Sequence, residues 1–102
     1  MKGRFHTVVV DGAMMVITKP ETRNPIHTSA WDCLLAWYES NGLDLDLIVD
    51  EGVTRIVHGE LKVISLERLP VGTFVGIDIQ SGELAKYHYW VRVNPLPEAV
   101  FA

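Results

Sequence analysis

Between Thr28 and Gly42 the chain reads TSAWDCLLAWYESNG, the only segment whose apolar residues recur at helical spacing. Trp31, Leu34, Leu35 and Tyr38 make one stripe, and Ala30, Cys33 and Trp37 make a second beside it. Asp32, Glu39 and Ser40 leave only a narrow face for water. A lone helix this apolar has to be wrapped, and the rest of the chain has strand character. Thr28 or Ser29 caps the helix, with Asp32 in its first turn where a negative charge suits the dipole. Asn41-Gly42 ends it.

Strand patterns fill the remainder. Residues 4–10 (RFHTVVV) and 13–18 (AMMVIT) flank Asp11-Gly12, a strong signal for a hairpin with a type I′ turn. KPETRNPIH (19–27), with two prolines, marks a surface loop. LDLDLIVD (43–50) alternates leucine and aspartate and predicts a half-buried strand. Glu51-Gly52 turns the chain into 53–58, and Gly59-Glu60 turns it into 61–66. Strands are also predicted over 73–79 and 84–93, joined by a turn at Gln80–Glu83. The tail NPLPEAVFA holds two prolines and cannot sit inside a sheet. Links this short favour antiparallel pairing. The expectation is one α+β domain over residues 1–102: a twisted, mostly antiparallel sheet curled around a single central helix, in the order ββαβββββ.

Charge narrows the function classes. Thirteen acidic residues against nine basic ones give a formal charge of −4. That balance disfavours nucleic acid, whose binding leans on neutralising phosphates, and an anionic membrane surface for the same reason. No run approaches the ~20 apolar residues of a membrane-spanning helix. Asp11-Gly12 interrupts the apolar part of the N-terminus, unlike a signal peptide. One cysteine makes no internal disulfide, so a cytoplasmic location is the expectation.

Cys33 is the first candidate for chemistry. It lies early in the helix, where unpaired N–H groups and the positive dipole end stabilise a thiolate. A nucleophile of this kind needs a base, and His88 in KYHYWVRV can serve. Asp32-Cys33, the stretch Leu69-Pro70-Val71-Gly72 and the strand beginning at His88 together resemble the compact papain-like thiol hydrolases, the cell-wall peptidases and transglutaminase-like enzymes. The resemblance covers Trp31 to Asn94. It implies a cysteine hydrolase or acyl transferase with Cys33 as nucleophile and His88 as base. Strand alternation groups His88 with Lys86, Trp90 and Arg92, and sets Tyr87, Tyr89, Val91 and Val93 on the core face. A catalytic His88 would have to point toward the helix. The structural alternative makes Cys33 a small buried hydrophobe and His88 an exposed strand residue.

Two further groupings complete the picture. Asp44, Asp46, Asp50 and Glu51 could hold a hard cation, but they lack calcium-loop spacing and read as a solvated strand face. His6, His27, His58, His88 and Cys33 are scattered without ligand spacing, so no metal site and no cofactor is expected. Trp31, Trp37 and Trp90, with Arg92 nearby and Phe101 in the tail, match the composition of interface hot spots. The leading expectation is a small acidic binding protein, accessory, regulatory or inhibitory, of the sort mobile elements encode. It would work as a homodimer and take a protein partner, or a small ligand between sheet and helix. The thiol hydrolase is the rival.

Overall fold

The computed structural model describes residues 4–21, 29–49, 52–78 and 86–101. It is α+β, with one helix and one open sheet. The strands are β1 (Phe5–Val10), β2 (Ala13–Thr18), β3 (Val53–Val57), β4 (Glu60–Ser65), β5 (Thr73–Asp78) and β6 (Lys86–Arg92). The helix α1 (Ala30–Ser40) lies between β2 and β3, and a short 3-10 helix (Glu98–Phe101) follows β6. The sheet order is β2-β1-β3-β4-β6-β5. Every pairing is antiparallel except that of β1 with β3. That parallel pair is possible because β2, α1 and their loops supply the long crossover it needs.

The local signals account for most of these elements. Asp11 (φ 48°) and Gly12 (φ 89°) both take the left-handed conformation that a type I′ turn requires. The second hairpin turns at His58-Gly59, one residue earlier than the sequence suggests, and Asp11 Oδ1 accepts from the His58 N–H at 2.8 Å. Ser29 caps α1: its Oγ accepts from the Asp32 N–H at 3.2 Å and donates to Asp32 Oδ2 at 2.9 Å. Thr28, the other candidate cap, and the predicted turn at Gln80–Glu83 lie outside the described residues. At the far end, the N–H groups of Gly42 and Leu43 donate to the carbonyls of Glu39 and Tyr38, a Schellman closure that buries Leu43.

Residues 43–50 are not the predicted strand. Asp44 Oδ1 accepts from the Asp46 N–H at 2.9 Å, and the Leu47 N–H donates to the Asp44 carbonyl at 3.1 Å. An aspartate that bonds its own backbone two residues on starts a turn, and this local bond wins over the alternating pattern. Among the described residues 43–49, only Ile48 makes a bridge, to Ser65. Asp44 and Asp46 therefore stand on an exposed turn, not on a strand face.

One face of the sheet carries the core. His6, Val8, Thr54, Ile56, Leu61, Val63, Tyr89 and Val91 are buried there. Trp31, Leu34, Trp37 and Tyr38 of α1 are buried with them, on the two stripes read from the sequence. The tail, which the sequence left without a place, joins this core through Val100, 1% exposed. Trp37 Nε1 donates to the Asn94 carbonyl at 2.9 Å, and the Asn94 N–H donates to Asn41 Oδ1 at 3.0 Å. The end of β6 is thereby tied to the last turn of α1.

Trp37→Ala should cost about 3–5 kcal/mol, since a buried ring leaves a cavity that a single-helix core cannot refill. Ending the chain at Asn94 should lower the thermal midpoint as well, because it removes Val100. Chemical denaturation of both variants checks this, and near-wild-type stability in either would mean that the helix and tail do not organise the core.

Candidate functional site

Cys33 sits in the first turn of α1, its N–H donating to the Ser29 carbonyl at 3.0 Å. Its side chain is half-buried and packs against the core cluster. His88 lies on β6 opposite Ile64 of β4. Its neighbours Tyr87 and Tyr89 belong to the helix-facing side, so alternation turns His88 to the other side of the sheet. The two residues are on opposite sides of a β-layer, and the structure does not bring them together.

Gly72, the last residue of the Leu69–Gly72 stretch, has a local role. Its φ is 92°, and a Cβ there would lie 2.7 Å from Val91 Cγ2 and 3.0 Å from the Trp90 carbonyl oxygen. Glycine lets the start of β5 close onto β6. The Leu69 N–H donates to the Tyr89 hydroxyl at 3.0 Å, which fixes the approach to that strand.

The five aromatic and basic candidates separate into two groups. Trp31 and Trp37, each 4% exposed, are core residues. Trp90 and Arg92 lie on β6 with His88, on the side that no described helix covers, and Phe101 is exposed at the end of the tail. Phe101 borders an apolar hollow of about 320 Å³ that also includes Val10, Ile56, Val93 and Leu96.

Three features are not evident from the sequence. The first is a buried polar chain. His6 Nε2 lies 2.6 Å from Thr54 Oγ1, and the Tyr38 hydroxyl lies 2.5 Å from the same oxygen. A threonine hydroxyl has one proton, so at least one of its two neighbours must donate to it. The chain links β1, β3 and α1, and the His6 ring meets Trp31 edge-on at 6.4 Å. Alternation of His6 with Val8 and Val10 was the available signal.

The second feature is the face of the sheet that, among the described residues, no helix covers. Strand register aligns Val16, Thr7 and Val53 in one row, and Met14, Val9 and Arg55 in the next. Lys62 and Trp90 continue this face across β4 and β6. Phe5, Met14 and Val16 are 62%, 73% and 56% exposed, a concentration of apolar side chains in water at one end of the sheet. The third feature is a crevice between β3 and β4, lined by Tyr38, Val53, Arg55, Lys62 and Ile64 among others.

Among the described residues, no three histidine, cysteine, aspartate or glutamate side chains come together as a metal site, and no helix is long and apolar enough to cross a membrane. Asp50 and Glu51 of the acidic grouping, and His27, lie outside the described residues. Comparison with protein-family models, with curated proteins and with solved structures finds no match.

Two outcomes check these placements. Iodoacetamide should label Cys33 slowly in the native protein and quickly in urea, and His88→Ala should leave the native rate unchanged. A native rate that falls in the His88 variant would mean that the two side chains communicate. Thr54→Val should cost about 1–3 kcal/mol by taking a buried partner from both His6 and Tyr38; a denaturation midpoint equal to that of the wild type would remove the polar chain from the account of stability.

Proposed function

We propose that this chain is a non-enzymatic binding protein, accessory, regulatory or inhibitory in kind, that works as a homodimer. The observation that carries the reading is the outer edge of β2. This strand, AMMVIT, ends the sheet and contains no charge, no proline and no bulge. The two-residue turn makes Val10 and Ala13 the closing pair, so Met14, Val16 and Thr18 turn their N–H and C=O groups outward. Edge strands are ordinarily blunted against pairing. The opposite edge, β5, is: it carries a register shift between Phe74 and Gly76.

A second copy suits the β2 edge for a physical reason. Two-fold antiparallel pairing of β2 with its own copy brings uncharged residues together, and it joins two uncovered sheet faces through Phe5, Met14 and Val16. Removing that apolar surface from water stabilises the dimer by about 25 cal/mol per Å². The cations on that face, Arg55, Lys62, Lys86 and Arg92, stand on β3, β4 and β6, away from this edge. Trp90 and Arg92 remain available to a further protein partner.

Sedimentation equilibrium tests the reading. The wild type should be a dimer, and Val16→Lys should be a monomer with an unchanged circular dichroism spectrum, since Val16 is exposed. Trp90→Ala should remain dimeric. A monomeric wild type, or a dimer indifferent to Val16→Lys, would overturn the proposal.

A further inference from the structure

The sheet splits between β3 and β4. The two strands pair over two rungs, Ile56 with Leu61 and Val57 with Glu60. Further along, β4 takes its bonds elsewhere: the Val49 N–H donates to the Ile64 carbonyl and the Leu66 N–H to the Leu47 carbonyl, each at 2.8 Å. The split opens a crevice of about 280 Å³ that leads from the uncovered face of the sheet to Tyr38 on the helix. Ile48, Val53 and Ile64 form apolar walls.

The charges at this crevice have one sign. Arg55 and Lys62 both line it, and among the described residues no carboxylate does. They occupy the first position on each strand beyond the Ile56–Leu61 rung, so the antiparallel register sets them across from one another. Like charges opposed across strands are destabilising. Among the described residues, neither makes an ion pair, and the nearest acid along the strand, Glu60, stands opposite Arg92. Two cations without an ion pair among the described residues thus stand beside an apolar slot.

We propose that this crevice binds a carboxylate carried on a short apolar stem. The stem enters between Val53 and Ile64 toward Tyr38, and the carboxylate stays at the mouth between the Arg55 guanidinium and the Lys62 ammonium. A guanidinium can hold both carboxylate oxygens at once, and the ammonium adds a second charge-assisted bond. The volume lies at the small end of ligand pockets, which limits the stem to a branched aliphatic chain or one ring. A free organic acid and the C-terminal residue of a partner chain carry the same chemistry. The site stands apart from the β2 edge, so it does not depend on dimerisation.

Amide resonances in NMR titrations of the full chain distinguish the outcomes. The probes are isocaproate and hydrocinnamate, their alcohols, and acetyl-Gly-Gly-Leu as the free acid and as the amide. The acids should shift residues 53–56 and 61–64 saturably, and the alcohols and the peptide amide should not. Arg55→Gln and Lys62→Gln, both at exposed positions, should each weaken binding about tenfold, the scale of a lost hydrogen bond between charged groups. Saturation by the small acids alone supports a free metabolite-sized ligand, and saturation by the peptide acid as well supports a chain terminus. Equal binding of acids and alcohols, affinities unchanged in both variants, or no saturable shift with any acid would overturn the proposal.

Discussion

A helix of 11 residues can cover one side of a six-stranded sheet and no more. The rest of the structure follows from that limit. Every strand must send its apolar alternation toward the same side, and a slip of one residue in any register would turn a core set into water. The register of β1, β3, β4 and β6 gathers Val8, Thr54, Ile56, Leu61, Val63, Tyr89 and Val91 on the helix side, while Phe5, Val53 and Val57 fall on the other. Among the described residues, the same limit leaves the other side without a helix over it.

What holds the single helix in position is polar at both ends and apolar between. Ser29 and Asp32 fix its start, and the Trp37–Asn94–Asn41 clasp fixes its end to β6. Between them, the Thr54 hydroxyl bonds both Tyr38 of the helix and His6 of β1. These bonds are individually modest in net terms, and those to Thr54 lie in the buried core. They give the packing of Trp31, Leu34 and Trp37 a unique orientation that apolar contact alone would not specify.

Much of this was legible in the sequence, for physical reasons that differ by element. Asp11-Gly12 names its turn because positive φ at two positions is chemically selective. The helix announces itself by its stripes, and β6 by an alternation that correctly divides Tyr89 and Val91 from His88, Trp90 and Arg92. LDLDL misled because aspartate serves equally as the polar side of a strand and as a turn former, and only the bond from Asp44 to Asp46 decides. The tail misled in the opposite direction. Its prolines rule out a strand, yet the Val100 N–H donates to the Pro97 carbonyl and the short turn delivers Val100 into the core. The pairing of β1 with β3, the split beside β4 and the exposed edge of β2 depend on strand order, and no local pattern encodes strand order. The spacing from Cys33 to His88 is compatible with many folds for the same reason.

The parallel pairing of β1 with β3 also bears on how the chain reaches this state. β1 with β2 and β3 with β4 are hairpins with two-residue turns, which close within microseconds. Joining them requires Thr7 to meet Val53, across all of β2 and α1. Loop-closure entropy has to be overcome there before any contact repays it, so this is the slow step that topology imposes. During synthesis the first hairpin emerges well before its neighbour in the sheet exists. Until β3 arrives, β1 itself is an exposed edge, and the flank that the mature fold seals is then open to pairing with another strand.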